Sequence, residues 1–222
     1  MRAIIKEDAQ PVEVARAFNV SRESFEKLQV YVDLLGKWQK QINLVGPKEY
    51  SRLWSRHIAD ALQLVEHIPP ETSCAVDLGS GAGIPGMIIA VVLQERGFHI
   101  HLVESNGKKA AFLRAAIREL GISGEVHNAR IESLHGQSWT GPVELVFARA
   151  LAPLPKLLEL SVPFVEKSGE MLFLKGLDVD SELTETTKYW NIGYEKYPSR
   201  TNVGGCILNI KDFQRVPHSK QC

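Results

Sequence analysis

The sequence is poor in cysteine, has no excess of charge and contains no long hydrophobic run. Its three cysteines, Cys74, Cys206 and Cys222, are odd in number and scattered, which argues against a disulfide framework and a zinc site and suits a reducing compartment. The longest apolar run, 87–93, is far shorter than the ~20 residues that span a bilayer. The first ten residues lack the apolar core of a signal peptide. We therefore expect a cytoplasmic protein that does not cross a membrane.

The overall charge does not reveal a partner. The 26 Lys and Arg residues are balanced by 26 Asp and Glu residues, whereas a strongly basic chain would by itself indicate nucleic-acid binding. Two stretches, 37–60 and 108–118, are locally basic. The basic side chains taken as candidates for contact with RNA phosphates are Lys37, Lys48, Arg52, Arg56, Lys108, Lys109 and Arg114. A solvated helix surface would explain each stretch equally well.

The first 70 residues have the periodicity of amphipathic helices. Ser21 is a candidate N-cap for the first of these helices. The pattern is interrupted by a Gly-Pro pair at 46–47, and a second helix ends at the Pro-Pro pair at 69–70. We expect residues 1–70 to form a helical extension packed on a core domain of residues 71–215, followed by a short tail, 216–222.

From residue 71 onward, short apolar runs alternate with helical stretches. The runs fall at 75–78, 100–103, 125–127, 143–147 and 171–174, and the helical stretches at 86–96, 108–120 and 154–165. Two more candidate strands lie toward the C-terminal end of the core domain, at 194–197 and 206–210. This alternation predicts an α/β fold: a doubly wound, mainly parallel sheet with an N-terminal helical cap.

The most informative stretch is VDLGSGAGIPG, in which Gly79, Gly81 and Gly83 connect a predicted strand to a predicted helix. Loops at this position bind ligands through free N–H groups. The spacing is G-x-G-x-G, and Ile84 occupies the place of the third glycine of a dinucleotide fingerprint. Asp77, two residues before the first glycine, favours a cationic ligand such as S-adenosylmethionine over a pyrophosphate. A purely structural turn and another nucleotide cofactor are the alternatives.

Four further residues are candidates for cofactor contacts. Glu104 ends the next predicted strand and is placed to accept hydrogen bonds from two ribose hydroxyls. Ile131 and Glu132 follow the third strand, where the adenine would lie. Arg149 follows the fourth strand and could reach the cofactor carboxylate or a phosphate. An ordinary strand-end side chain is the alternative for Glu104 and for Arg149.

The loop after the fourth strand narrows the class of methyl acceptor. It reads FARALAP and lacks the Asn/Asp-Pro-Pro-aromatic tetrad of methylases that act on amino nitrogens, and no cysteine lies near a recognisable nucleophile motif. A ring nitrogen with its own lone pair needs neither the tetrad nor a nucleophilic cysteine. It can attack the methyl carbon directly, and proximity and orientation can lower the barrier by about 7–11 kcal/mol. A methyltransferase for a small molecule or a protein side chain, or a non-catalytic adapter that binds S-adenosylmethionine or RNA, stays open.

Five motifs occur in an order that resembles a known family. They are RHIAD (56–60), VDLGSGAGIPG (76–86), ESNGKK (104–109) with FL (112–113), RA (149–150) and LKG (174–176). In this combination the chain resembles the bacterial 16S rRNA guanine-N7 methyltransferases, formerly called glucose-inhibited division protein B.

The resemblance implies a Rossmann-like class I methyltransferase that uses S-adenosylmethionine. Its expected substrate is N7 of a guanosine in the 530 loop of 16S rRNA (a guanine-527 type position), in naked rRNA or in the small ribosomal subunit. It implies cofactor contacts at Gly79, Ile84, Glu104, Ile131, Glu132 and Arg149. No catalytic base is assigned. Arg149 and His57 are candidates for positioning the reactants, and a packed, hydrogen-bonded histidine without a catalytic role is an equally good interpretation of His57. We expect a monomer that requires no metal.

Overall fold

A computed structural model describes residues 4–136 and 142–217, which form a seven-stranded sheet. Its strands are β1 (Cys74–Leu78), β2 (His99–Val103), β3 (Gly124–His127), β4 (Val143–Arg149), β5 (Val165–Lys175), β6 (Trp190–Pro198) and β7 (Cys206–Arg215). The order across the sheet is β3-β2-β1-β4-β5-β7-β6. Strand β7 runs antiparallel to both of its neighbours, and the other pairs are parallel. The predicted α/β fold with a mainly parallel sheet is confirmed.

The strand order reverses beside β1, because β2 and β4 lie on opposite sides of it. At such a switch point the connections leave in opposite directions and open a crevice at the carboxyl ends of the strands. The glycine loop begins at the end of β1, so the fold places it in this crevice.

The helices are α1 (Pro11–Ala17), α2 (Arg22–Gln39), α3 (Pro47–Tyr50), α4 (Ala59–Val65), α5 (Gly86–Leu93), α6 (Gly107–Leu120), α7 (Leu154–Ser161) and α8 (Val179–Thr186). A π-helical turn, Leu53–Ile58, leads into α4, and short 3-10 turns follow α5, β3 and α7. Ser21 caps α2 as predicted, since its Oγ accepts the N–H of Ser24 at 3.1 Å. Among the described helices, none is both long and apolar enough to cross a membrane.

Three local predictions were wrong. The second N-terminal helix is divided into α3, the π-helical turn and α4, so its residues do not form one continuous amphipathic helix. Strand β5 starts at Val165, the last residue of a predicted helix, and runs through a polar, exposed segment before its apolar part. Helix α8 was not predicted, because only Val179, Leu183 and Thr186 of its residues are buried.

The N-terminal helices share a core with the helices of the sheet. Leu28 and Leu35 of α2 are fully buried together with Phe112 of α6. The Tyr31 hydroxyl donates a hydrogen bond to the carbonyl of Ala82 at 2.7 Å, which fastens α2 to the glycine loop. A second cluster on the other face of the sheet is formed largely by β4, β5, α7 and α8. The division of the chain at residue 70 stays a prediction.

The junction between β1 and α5 leaves no space for a side chain at Gly86. A Cβ added there would lie 2.8 Å from Cβ and Oδ2 of Asp77 and 2.9 Å from Leu102 Cδ2. We expect Gly86→Ala to lower the free energy of unfolding by about 1–3 kcal/mol, because overpacking of a core forces its surroundings to shift. Urea unfolding measures this change.

Gly107→Ala is the matched control, because Gly107 also begins a helix, α6. A Cβ added there has its nearest neighbour, Asn128 Oδ1, at an ordinary 3.5 Å. We expect its free energy of unfolding to stay within about 0.5 kcal/mol of the wild-type value. Equal effects of the two substitutions would show that the β1–α5 junction is not tightly packed.

Candidate functional site

The glycine loop adopts a conformation that side chains tolerate poorly. Gly79 and Gly83 have φ angles of +71° and +86°, in the left-handed region that favours glycine. A Cβ on Gly79 would lie 2.8 Å from Leu151 Cδ1, and one on Gly83 would lie 2.9 Å from Leu113 Cδ2. The loop therefore needs glycine at both positions for two reasons, its backbone angles and its close neighbours.

Hydrogen bonds hold the two ends of the loop together. At the start, the N–H groups of Gly79 and Ser80 both donate to the carbonyl of Val103 at the end of β2, at 2.9 and 3.0 Å. At the end, the N–H of Gly86 donates to Asp77 Oδ2 at 3.0 Å. Asp77 thus lies at the base of the loop and binds the first residue of α5.

Asp77 is a buried acid with an incomplete set of partners. Its side chain is 1% exposed, and its Oδ1 has no hydrogen-bond partner among the described residues. Burial raises the pKa of Asp77 to about 7, while the Gly86 N–H, the Ser80 side chain and the charge of Arg149 oppose the shift. The second oxygen is therefore suited to a donor or cationic group supplied by a ligand.

Glu104 is joined directly to the glycine loop. Its Oε2 accepts the N–H of Gly81 at 2.8 Å, and its Oε1 accepts the N–H of Asn106 at 2.7 Å. The Asn128 side chain donates to the Glu104 carbonyl at 2.8 Å. A carboxylate can accept about four hydrogen bonds, so this arrangement fixes the group and leaves lone pairs for a ligand. The structure brings Glu104 and Gly81 together, as the predicted cofactor site requires.

The two residues predicted to contact the adenine, in the loop after β3, differ in their exposure. Ile131 and Glu132 lie in the 3-10 turn Ile131–Leu134, close behind β3. Ile131 is 8% exposed and packs in the second core cluster, whereas Glu132 is exposed. Most of the Ile131 side chain is therefore turned toward the protein interior, which leaves only its edge for a ligand.

Arg149 lies at the centre of a polar cluster at the end of β4. Its Nη2 is 2.6 Å from His57 Nδ1 and 3.5 Å from Asp60 Oδ2. Because a guanidinium can only donate, His57 Nδ1 is the acceptor and the imidazole is neutral. Burial, followed by the charge of Arg149, lowers the pKa of His57 to about 4, which agrees with this assignment.

Two members of this cluster were not found from the sequence. The hydroxyl of Thr201 donates to Asp60 Oδ1, and Glu49 Oε2 lies 3.2 Å from His57 Nε2. Arg56, one turn before Asp60, has its Nε 4.0 Å from Glu49 Oε2. Thr201 follows β6 at a distance of 141 residues from Asp60, and no local pattern in the chain indicates this contact.

A cavity of about 230 Å³ opens beside the Arg149 cluster. Its polar lining comes from Arg56, Asp60, Arg149, Lys175 and Asn202. It lies at the carboxyl ends of β4 and β5, the edge of the sheet at which β1 leads into the glycine loop. The cavity therefore offers hydrogen-bond donors and acceptors close to the residues predicted to hold a cofactor.

The predicted RNA-contacting side chains have unequal surroundings. Lys37 on α2 and Lys108 and Arg114 on α6 are exposed, and Lys109 is half-buried. Helices α2 and α6 pack against each other, so these four side chains belong to neighbouring elements. Arg52 forms an ion pair with Glu7, and Arg56 lines the cavity. The side chain of Lys48 lies outside the described residues.

The raised pKa of Asp77 predicts a pH-dependent stability. An unfolded aspartate has a pKa of about 3.9, so between about pH 4 and pH 7 the folded protein holds a proton that the unfolded chain has lost. Stability therefore falls as the pH rises through this window. Relative to Asp77→Asn, which cannot titrate, we expect the wild-type free energy of unfolding to fall by about 2 kcal/mol from pH 5 to pH 7. Urea unfolding of both proteins at the two pH values gives the difference, and parallel pH profiles would contradict it.

Comparisons with known proteins identify the family. The family model described as rRNA small subunit methyltransferase G matches residues 24–205. Ribosomal RNA small subunit methyltransferase G of Bradyrhizobium sp. (strain ORS 278) is 50% identical over 197 residues, 88% of each chain. The protein of the same name from Hyphomonas neptunium is 45% identical and covers 90% of this chain and 93% of its own.

Among solved structures, an O-methyltransferase from Bacillus cereus in complex with SAH has a TM-score of 0.54 at 12% identity, over 86% of this chain and 91% of its own. At this identity the likeness concerns the fold alone, which is that of the Rossmann-like methyltransferases. The family match rests on sequence and covers most of the chain, including the glycine loop, Glu104 and Arg149. The chain belongs to the rRNA small subunit methyltransferase G family.

Proposed function

We propose that the protein binds S-adenosylmethionine on the glycine loop and transfers its methyl group to N7 of a guanosine in the 530 loop of 16S rRNA. Membership of the family supports two parts of this proposal, the reaction class and the rRNA substrate. The choice of N7 and of the 530 loop rests on the resemblance of the five ordered motifs. A protein that modifies rRNA in this way would act in the cytoplasm, in contact with 16S rRNA or the small ribosomal subunit.

The residues of the loop fit this cofactor. S-adenosylmethionine carries a sulfonium and an ammonium group, and the partnerless Oδ1 of Asp77 is a buried oxygen suited to a cationic or donor group. The main chain at Gly79, Gly81 and Gly83 can approach a ligand closely because these residues carry no side chain. The related fold of the Bacillus cereus O-methyltransferase is solved in complex with SAH, which is consistent with this placement.

Each part of the cofactor has a proposed partner. Glu104, already fixed by two main-chain N–H groups, would accept hydrogen bonds from the ribose hydroxyls. Ile84 would contribute main-chain contacts at the end of the loop. The exposed edge of Ile131 and the side chain or main chain of Glu132 would meet the adenine. When bound, S-adenosylmethionine supplies an electrophilic methyl group.

Arg149 is proposed to act between the cofactor and the acceptor. It is near enough to Asp77 to oppose the rise of that residue's pKa, and it also lines the cavity. His57 accepts from one of its nitrogens and Asp60 lies beside it, so both residues orient the guanidinium. They are positioning residues, since neither is required to take a proton.

The chemistry explains why no catalytic base is needed. Guanine N7 presents a lone pair in the plane of the ring and can attack a methyl carbon without first losing a proton. The task of the protein is then to exclude water and to align the ring with the methyl group. The cavity offers Asp60, Lys175 and Asn202 as polar groups that could hold the base. The proposed reaction requires no metal, and one copy of the chain is sufficient for it.

The RNA backbone would be bound by the basic side chains of the N-terminal helices and α6. Lys37, Lys108 and Arg114 are best placed because they are exposed, and Lys109, Lys48, Arg52 and Arg56 complete the proposed set. Phosphate contacts release counterions, so affinity for the rRNA would weaken as salt concentration rises. Such local patches are compatible with a net charge of zero.

The proposal predicts methyl transfer from labelled S-adenosylmethionine to undermethylated small ribosomal subunits or their 16S rRNA. We expect one labelled nucleotide in the 530 loop, recovered as N7-methylguanosine by nuclease digestion and mass spectrometry. Absence of label from 16S rRNA, or label in ribosomal protein or a small acceptor, would refute the proposed substrate.

A pair of glycine substitutions tests the cofactor site by its affinity for S-adenosylmethionine. Gly79 and Gly97 have nearly identical φ angles, +71° and +72°, so valine at either position costs about 1–2 kcal/mol of backbone strain. No described atom lies within 4 Å of a Cβ added to Gly97, whereas one on Gly79 would clash with Leu151. We expect at least a roughly ten-fold weaker affinity for S-adenosylmethionine in Gly79→Val (a loss of about 1.4 kcal/mol) and no change in Gly97→Val. Equal affinities in calorimetric titration would rule out the glycine loop as the binding site.

A further inference from the structure

Three side chains of metal-ligating types meet on one face of the sheet. His101 on β2 is paired in register with Glu125 on β3, and Val103 is paired with His127. Side chains two residues apart on a strand point to the same face, so Glu125 and His127 lie on one face of the edge strand. His101 approaches them from the neighbouring strand.

The ligand atoms are close to the spacing that a bound ion requires. His101 Nδ1 lies 3.1 Å from His127 Nε2 and 3.9 Å from Glu125 Oε2, and the three atoms all lie within 4.8 Å of one another. With zinc-to-nitrogen bonds of about 2.0–2.1 Å, the ligand atoms of a tetrahedral site are about 3.3 Å apart. The two histidines need to move by only a few tenths of an ångström. Glu125, whose side chain is 60% exposed, is free to close the remaining gap.

The chemistry of the three groups favours a particular class of ion. Two imidazoles and one carboxylate form the set of protein ligands found in open zinc sites, where water takes the fourth position. An imidazole binds a metal in its neutral form. Hard cations such as Mg²⁺ prefer oxygen ligands and suit this site poorly.

We propose that His101, Glu125 and His127 form a binding site for one divalent ion of the zinc class. The ion would join β2 to β3, the edge strand of the sheet, and so stabilise an edge that is paired on one side only. The carbonyl of His127 accepts the N–H of Glu104 at 3.0 Å, so the site adjoins the strand end that carries Glu104. The site has no part in the proposed methyl transfer, so the two proposals can be tested independently.

The competing explanation is a metal-free pair of histidines. At 3.1 Å, one neutral imidazole can donate its N–H to the other. That arrangement would give no response to a metal. Ion binding moves this proton to the other nitrogen of the donating ring, recruits Glu125 and raises the thermal stability of the protein by mass action.

The test uses full-length, untagged protein that has been treated with a chelator. Calorimetric titration with Zn²⁺ should show a single strong site. At Zn²⁺ concentrations about 100-fold above the dissociation constant, the melting temperature should rise by about 5–10 °C. The same concentration of Mg²⁺ should give no comparable rise.

Variants assign the ion to these ligands. His101 is 5% exposed, so its replacement would also disturb the fold; the half-buried His127 and the exposed Glu125 are better test positions. We expect His127→Asn and Glu125→Gln each to weaken Zn²⁺ affinity by at least roughly ten-fold, with little change in the metal-free melting temperature for Glu125→Gln. His67→Asn is the control, because His67 stacks on Tyr197 at 4.1 Å, outside the cluster, and should bind Zn²⁺ like the wild type. No rise in melting temperature with Zn²⁺, or an equal rise in all variants, would overturn the proposal.

Discussion

The hydrogen bond between Asp77 and Gly86 is the constraint on which the candidate site depends. It joins the end of β1 to the start of α5 at 3.0 Å and so sets the ends of the glycine loop. The packing at this junction is too close for any side chain at Gly86. The same closeness buries the carboxylate, raises its pKa to about 7 and leaves Oδ1 without a partner among the described residues. Burying this group is costly for the isolated protein, and we propose that a ligand supplies the missing partner.

The N-terminal helices complete this site from the other side. Tyr31 of α2 donates to the loop carbonyl of Ala82, so movement of α2 would disturb the loop. His57 and Asp60, from the π-helical turn and α4, orient Arg149 at the end of β4. The polar cavity is therefore built jointly by the N-terminal helices and the sheet. This shared construction brings the RHIAD and RA motifs together in space although they are far apart in sequence.

Local patterns predicted the parts of the fold that local physics determines. The apolar runs at β1, β2 and β4 identified central strands, and the glycine spacing identified a loop that the structure shows with positive φ at Gly79 and Gly83. Features that depend on pairing between distant segments were not predictable in this way. The contact of Thr201 with Asp60 joins a loop to a helix 141 residues away. The approach of His101 to Glu125 and His127 depends on the register between β2 and β3. The cysteine pattern bears only on zinc sites with thiolate ligands, so it gives no indication of the histidine cluster.

We propose that a loop fixed by Asp77 and joined to Glu104 holds S-adenosylmethionine in place for methyl transfer. A crystal structure of the protein with S-adenosylhomocysteine tests it most directly. We expect the ribose hydroxyls to lie within about 3 Å of the Glu104 carboxylate, the amino acid portion to contact the main chain from Gly79 to Gly83, and the Asp77–Gly86 hydrogen bond to be retained. Density for the ligand at another place, or a ribose that does not contact Glu104, would contradict the account.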